Sequence, residues 1–381
     1  MEHCNQLAGS WMADAGMKVT LDQAGNLRGL YGGHRPDAPR LLIGSHLDTV
    51  PNAGKYDGIL GVMIGIALIE SLDGNRLPFA IEVIGFSDEE GVRFGLPFIG
   101  SRAVVGELSA AHRLVLDTDG IPLAAALERF RNAHPEALDA GFHSGSRAYL
   151  EFHIEQGPVL HEAGESLAVV DAIAGQSRAT VVFSGRAGHA GTTPMALRRD
   201  AMTAAAEWIL AVEATALATP GLVASTGRIT CEPGATNIIP GIVRCSLDLR
   251  SANDSLRQKA FQSVVSAARE IAARRKVELN YTLDVEQQTV ALDASLTSLA
   301  AKSIGATQTR RMVSGAGHDA MVFAPHLPSA MIFLRSPGGI SHHPDESVLV
   351  EDVTESIRAG RRFLENFAQW ITTGEKPTCT T

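Results

Sequence analysis

The residues able to do chemistry sit at the ends of apolar runs. Leu41-Leu42-Ile43-Gly44-Ser45-His46-Leu47-Asp48 ends in an imidazole and a carboxylate, and Tyr56-Asp57-Gly58 follows shortly after. The run 80–86 ends in Ser87-Asp88-Glu89-Glu90, and a third run, 149–154, carries His153; Ser341-His342-His343 adds two more imidazoles. Imidazoles and carboxylates without a thiolate suit zinc or manganese. In a strand, positions i and i+2 share a face, so Asp48 is available to hold the second nitrogen of His46. Asp57 opens a helix, whose amino end favours a carboxylate, and a carboxylate there can bridge two cations. In extended backbone Glu89 and Glu90 diverge, so one can ligate while its neighbour faces the substrate as a base. His153 and one of His342 or His343 complete the set. Two ions about 3.5–4 Å apart on one shared carboxylate acidify a water and polarise a scissile carbonyl. The chemistry implied is hydrolysis, with no need for redox or nucleotide cofactors. Each residue alone has a blander reading as an interior histidine, a solvated cap or a turn. Repetition at independent strand ends is what favours a metal site.

Positioning those groups requires an α/β architecture, with ligands gathered at the carboxyl ends of buried strands. The pattern predicts a helix over 6–17, short strands at 18–21 and 26–30, the run ending at His46, a helix over 59–72 and a strand at 80–86. Gly58, Gly61 and Gly65 weaken the 59–72 helix but permit close packing on a sheet. Helices are predicted over 102–114 and 122–130, with a loop at 131–136. From 177 the pattern alternates, predicting a half-solvated antiparallel sheet. Helices over 195–214 and 254–275 bracket strand-like 222–232 and 241–249, the order of a small two-layer α/β domain inserted into a larger one. The inserted domain is placed at 177–288, the larger one at 1–176 and 289–381. A strand at 330–334 and a helix over 352–371 close the chain, before a polar tail at 374–381 expected to fray.

A chain of 381 residues exceeds what a single core usually holds. Net charge is −9 without a Lys/Arg block, which speaks against a nucleic-acid partner. Cys4, Cys231, Cys245 and Cys379 are widely spaced and read as free thiols, a cytoplasmic pattern. No secretory signal is evident, and the apolar stretch 59–69 is too short to span a bilayer.

GSHLDTV at 44–50, YDGILG at 56–61, FSDEEGVRF at 86–94, GSRA at 100–103, FHIEQGPVL at 152–160, GRAGHAGTTPM at 185–195, PGATNIIPG at 233–241, DLR at 248–250, SGAGHDA at 314–320 and GISHHPDE at 339–346 occur in that order. With them the chain resembles the amidohydrolase branch of the M20 metallopeptidase family, which includes allantoate amidohydrolases, N-carbamoyl-L-amino-acid hydrolases and β-ureidopropionases. The resemblance implies a zinc-peptidase-like α/β/α domain with an inserted dimerisation domain, and two divalent ions, Zn2+ or Mn2+, per subunit. It makes His46 and His153 ligands on different metals, Asp57 the bridge, Glu90 the partner of His46 and His342 the partner of His153. Glu89 becomes the general base and Asp48 the group behind His46. His189 and Asn237 would contact the scissile carbonyl, Arg250 the substrate carboxylate, and Gln156 would line the pocket. Backbone N–H groups near Gly315, Gly317, Gly338 and Gly339 would approach the substrate. Relatives carry several tens of residues ahead of this start, so either the sequence begins inside a longer product or this member lacks that element.

The activity implied is hydrolysis of a small ureido acid by a homodimer. Few aromatics in the pocket segments and the polar Gln156 tilt the substrate to allantoate; N-carbamoyl amino acids and ureidopropionate are the alternatives. An aminopeptidase or dipeptidase would need an acidic group for a free amine, and none is assigned. A non-catalytic dimeric binding protein would differ by binding fewer than two ions.

Overall fold

The computed structural model describes residues 2–305 and 308–373; the tail 374–381 with Cys379 lies outside them. The chain forms two compact units, Met1–Asp171 with Ala291–Thr381, and Ala172–Val290 between. In order, the first contributes α1 (Glu2–Asp14), β1 (Lys18–Leu21), β2 (Leu27–Tyr31), β3 (Arg40–His46), α2 (Ile59–Ser71), β4 (Ala80–Phe86), α3 (Ile99–Val105), α4 (Ala110–Arg113), α5 (Leu123–Ala133), β5 (Ser146–Ile154), α6 (Val159–Ala163) and β6 (Leu167–Ile173). The middle unit contributes β7 (Gly175–Ser184), β8 (Gly188–His189), α7 (Ala201–Leu217), β9 (Val223–Ser225), β10 (Ile229–Glu232), β11 (Ile238–Ile239), β12 (Ile242–Ser251), α8 (Asp254–Arg275) and β13 (Glu278–Gln287). The chain then adds β14 (Val290–Ala291), α9 (Ala294–Ile304), β15 (Arg311–Ser314), α10 (Asp319–Phe323), β16 (Ser329–Leu334) and α11 (Val350–Thr373).

The large sheet runs β1-β2-β4-β3-β5-β16-β6-β14, with β15 on β6. Its centre, β4-β3-β5-β16, is parallel, and antiparallel strands flank it. Period-two alternation divides the side chains. Leu41, Ile43, Leu150, Phe152 and Ile332 pack with α2, α9 and α11 in one core. Tyr149 turns to the other face and stacks on Phe323 of α10, ring centroids 4.3 Å apart. The result is an α/β/α sandwich, the architecture implied by the sequence. Close packing of α2 depends on Gly61, where a Cβ would fall 2.1 Å from the carbonyl oxygen of Phe152.

The middle unit is two-layered. Its five-stranded antiparallel sheet, β10-β12-β7-β13 with β9 beside β12, is covered by α7 and α8. Trp208 of α7 is fully buried there, its indole N–H donating to the carbonyl of Val264 at 2.9 Å.

Local elements differ from the pattern where a cap intervenes. Residues 195–197 form a separate 3-10 turn, and α7 starts only at Ala201, because Asp200 accepts N–H bonds from Met202 and Thr203. Residues 99–113 hold two short helices, since Gly106 takes a left-handed conformation and Ser109 caps a new start. The 222–232 stretch is two strands. Cys4, Cys231 and Cys245 are free thiols. No helix among the described residues is long and apolar enough to cross a membrane.

Candidate metal centre

His46 is the last residue of β3 and His153 the penultimate residue of β5. The strands are parallel neighbours, so both imidazoles emerge at the same edge, their Nε2 atoms 3.5 Å apart. Asp57 reaches that edge from the turn before α2. Its Oδ1 lies 3.6 Å from Nε2 of His46 and 3.1 Å from Nε2 of His153, while its Oδ2 lies 3.0 Å from Nε2 of His342. Glu90 stands 3.4 Å from His342 Nε2. Two donor groups therefore meet on Asp57: His46 with His153, and Glu90 with His342. The resemblance put His46 with Glu90 and His153 with His342; His46 also lies within ligand reach of Glu89 and Glu90, while on Asp57 it stands with His153. Adjacent parallel strands bring the two buried histidines together, whereas Glu90 and His342 arrive on loops. His343 ring atoms instead face Asp345 and its backbone N–H, at the exposed side of the turn.

The hydrogen-bonding of the rings tests whether cations fit. Nδ1 of His46 lies 2.9 Å from the carbonyl of Asp48, and Nδ1 of His153 lies 2.8 Å from that of Ile154. A carbonyl only accepts, so each Nδ1 carries a proton and each Nε2 of a neutral ring aims a lone pair at Asp57. Asp57 Oδ1 and Glu90 Oε1 are buried and accept no hydrogen bond of good geometry. Lone pairs facing carboxylate oxygens in a buried site repel unless positive charge lies among them. Protons or cations must occupy that space, and the donor set fits divalent cations.

Against burial, contacts from His153, His342 and His46 hold the Asp57 carboxyl far below the usual carboxylate range. Bonds to Asp57 and Glu90 push His342 up to about 10. Despite burial, the charge of Glu89 and the contact with Asp57 push His46 well up.

Asp48 serves the site differently from expectation. Its carboxylate oxygen is 3.9 Å from Nδ1 of His46, which its own carbonyl holds instead. The carboxylate accepts the backbone N–H groups of Glu89 and Glu90, at 3.0 and 3.1 Å, and so aims the acidic pair. Glu89 is buried beside His46 and Glu90, and burial, then Asp319 and Glu90, push its carboxyl well up against the pull of His46. Gln156, in a left-handed backbone conformation, donates its side-chain N–H to Asp57 Oδ2 at 2.8 Å.

Gly58 is required by the same packing. Its φ is +68°, and a Cβ there would lie 2.3 Å from the His46 ring. Gly58→Ala is expected to displace that imidazole and weaken cation affinity by at least about 10-fold, the loss typical of disturbed ligand support; a metal titration of the variant checks this.

The other side chains expected to touch the substrate belong to the middle unit. β8 pairs with β11, setting His189 opposite Ile238, and Ala190 N–H donates to the Asn237 carbonyl at 2.9 Å, so His189 and Asn237 are neighbours and both exposed. Arg250 lies on β12, and its guanidinium makes bonds of 3.0 and 2.9 Å to Asp248 two residues before it. Gly315 and Gly317 lie in the turn before α10, and Gly338 and Gly339 in a 3-10 turn after β16.

The sequence reading passes over three buried groups behind His153. The His318 ring packs edge-on against His153 with centroids 4.3 Å apart, and its Nε2 is 2.8 Å from Ser314 Oγ. Burial drives His318 well below the usual imidazole range, so it is neutral. Glu151 accepts from Ser45, Tyr149 and the N–H of Ala320, and Asp319 is buried beside it. The signals were present: Glu151 shares a strand face with His153, and His318-Asp319 lies inside SGAGHDA.

Residues 42–366 match the model of Peptidase family M20/M25/M40. Over 94% of its length the chain is 38% identical to a probable allantoate deiminase of Oryza sativa subsp. japonica, covering 81% of that protein. It is 40% identical to an N-carbamoyl-L-amino acid amidohydrolase of Geobacillus stearothermophilus, over 91% of this chain and 86% of that one. A crystal structure of an amidase of the hydantoinase/carbamoylase family from Burkholderia multivorans superposes with a TM-score of 0.88 at 31% identity, over 95% of this chain and 89% of that chain.

Proposed function

From the premise that this chain belongs to peptidase family M20/M25/M40, in its amidohydrolase/carbamoylase branch, we propose that it is an allantoate amidohydrolase. It is a metal-dependent hydrolase of non-peptide C–N bonds. The observation that carries the reading is the meeting of two donor groups on Asp57 with a buried carboxylate, Glu89, alongside. His46, Asp57 and His153 would hold one divalent cation, and Asp57, Glu90 and His342 a second. When bound, Zn2+ or Mn2+ supplies positive charge that polarises a carbonyl and acidifies water.

The chain's own residues supply the proton transfers. Glu89 takes a proton from the attacking water, whose oxygen bonds to the ureido carbon. As the C–N bond breaks, the same carboxyl returns the proton to the departing nitrogen. Ammonia and carbon dioxide follow from the carbamoyl group. Asp48 keeps Glu89 aimed through its backbone N–H. Exposed His189 and Asn237 are proposed as donors to the developing oxyanion. Arg250 is proposed to receive the substrate carboxylate, its planar fork exchanging Asp248 for that anion. These three roles rest on the family resemblance, as does the homodimer.

Ammonia release from allantoate, N-carbamoyl-methionine and ureidopropionate, measured side by side on manganese-loaded protein, tests the assignment. Allantoate is expected to give the highest kcat/KM. A higher value for either other substrate moves the chain to that activity, and no release from any of them removes the ureido reading.

A further inference from the structure

The motif that carries His342 ends in a carboxylate to which no role has been given. Glu346 is buried, although Asp345 beside it is exposed. Its Oε1 accepts the backbone N–H groups of Tyr56 and Asp57, at 2.9 and 3.1 Å, across 290 and 289 positions of sequence. Its Oε2 accepts the hydroxyl of Ser341 at 3.1 Å, and that hydroxyl also lies 3.3 Å from Asp57 Oδ2. The Glu346 N–H donates to the carbonyl of His343 at 3.0 Å, closing the turn that holds His342. One carboxylate thus binds the backbone beneath Asp57 and the serine beside His342.

Both loops need holding. His342 has φ +54°, in the left-handed region where a side-chain-bearing residue is strained and persists only when its surroundings impose it. The segment before Asp57 is admitted only because position 54 is glycine: a Cβ there would lie 2.1 Å from Glu346 Oε1. Glycine at that position makes room for the carboxylate, and the carboxylate takes up two N–H groups of the turn that delivers Asp57.

We propose that Glu346 is a positioning residue that couples the Asp57 loop to the His342 loop and so sets the cation position between Asp57, Glu90 and His342. The inference rests on the two-cation reading above. It assigns Glu346 no contact with substrate or cation; it acts through the ligands on either side. The other position shares Asp57 but keeps His46 and His153, which are fixed by β3 and β5 and are not among the groups Glu346 binds.

The test uses the full chain stripped of metal and titrated with Mn2+ alone, followed by calorimetry and by the electron paramagnetic resonance signature of an exchange-coupled manganese pair. Wild type is expected to take two ions and show the coupled signal. Glu346→Ala is expected to keep cooperative thermal unfolding and its first ion. Its second ion is expected to bind about 10- to 100-fold more weakly, the usual loss for a partner behind a ligand, and the coupled signal to give way to that of an isolated ion. Glu346→Gln keeps an oxygen for the two N–H groups and should fall between the two. A wild type that binds fewer than two ions overturns the two-cation reading itself. A wild type that binds two, with Glu346→Ala matching it within about threefold and keeping the coupled signal, overturns the role of Glu346 alone. If Glu346→Ala does not fold, Glu346→Gln decides, and wild-type affinity for the second ion then overturns the proposal.

Discussion

Glu89→Gln is expected to lower kcat by about 10²- to 10⁴-fold, the range for removing a general base, without changing metal content. The amide has the size of the carboxylate but cannot accept and return a proton. The turn that presents residue 89 survives the change, because its main-chain contacts remain: N–H to Asp48 at 3.0 Å, and the carbonyl accepting from Phe98 at 2.9 Å. Glu90, the acidic neighbour that reaches His342, is untouched. Steady-state kinetics and metal analysis on the same preparation separate the two outcomes. A variant with full metal and near-normal turnover removes Glu89 from the role of base.

Asp57→Asn is expected to remove the two-ion centre outright. Each donor group would keep two ligands but lose the shared anion, so affinity should fall by more than the roughly 100-fold that bounds loss of a supporting partner. Mn2+ should raise the melting temperature of wild type, as any ligand of the folded state does, and leave the variant's nearly unchanged. Proton release reports the same residue. Without cations, the bonds to Asp57 and Glu90 push His342 up to about 10. A raised imidazole value stabilises the folded chain fully below pH about 6.5, the ordinary value, and that contribution is lost as pH rises to the folded value. Cations must displace those protons, so wild-type metal affinity should rise with pH across this window, with acid released into a weakly buffered solution. Without the Asp57 charge the imidazole values fall back, and fewer protons should leave per ion. Equal proton release and an equal thermal shift in both proteins would show that Asp57 is not the shared ligand.

What could be read from residue order was the part of the molecule set by short-range rules. Strand period and apolar runs identify the segments around His46 and His153, donor chemistry identifies a thiolate-free site, and the glycines at 58, 61 and 65 anticipate a helix lying close on a sheet. The ordered set of family motifs extends this to the α/β/α architecture and the family. The grouping of donors was decided only in three dimensions. That β3 and β5 are neighbours pairs His46 with His153, and strand order is a long-range property that no local pattern encodes. The same holds for Asp48, whose carboxylate turned out to bind the acidic pair's backbone, and for Glu346, whose backbone partners Tyr56 and Asp57 lie some 290 positions away in sequence. Donor type is written in the side chain itself, whereas its partner is chosen by whichever groups burial leaves within reach, and burial belongs to the whole fold.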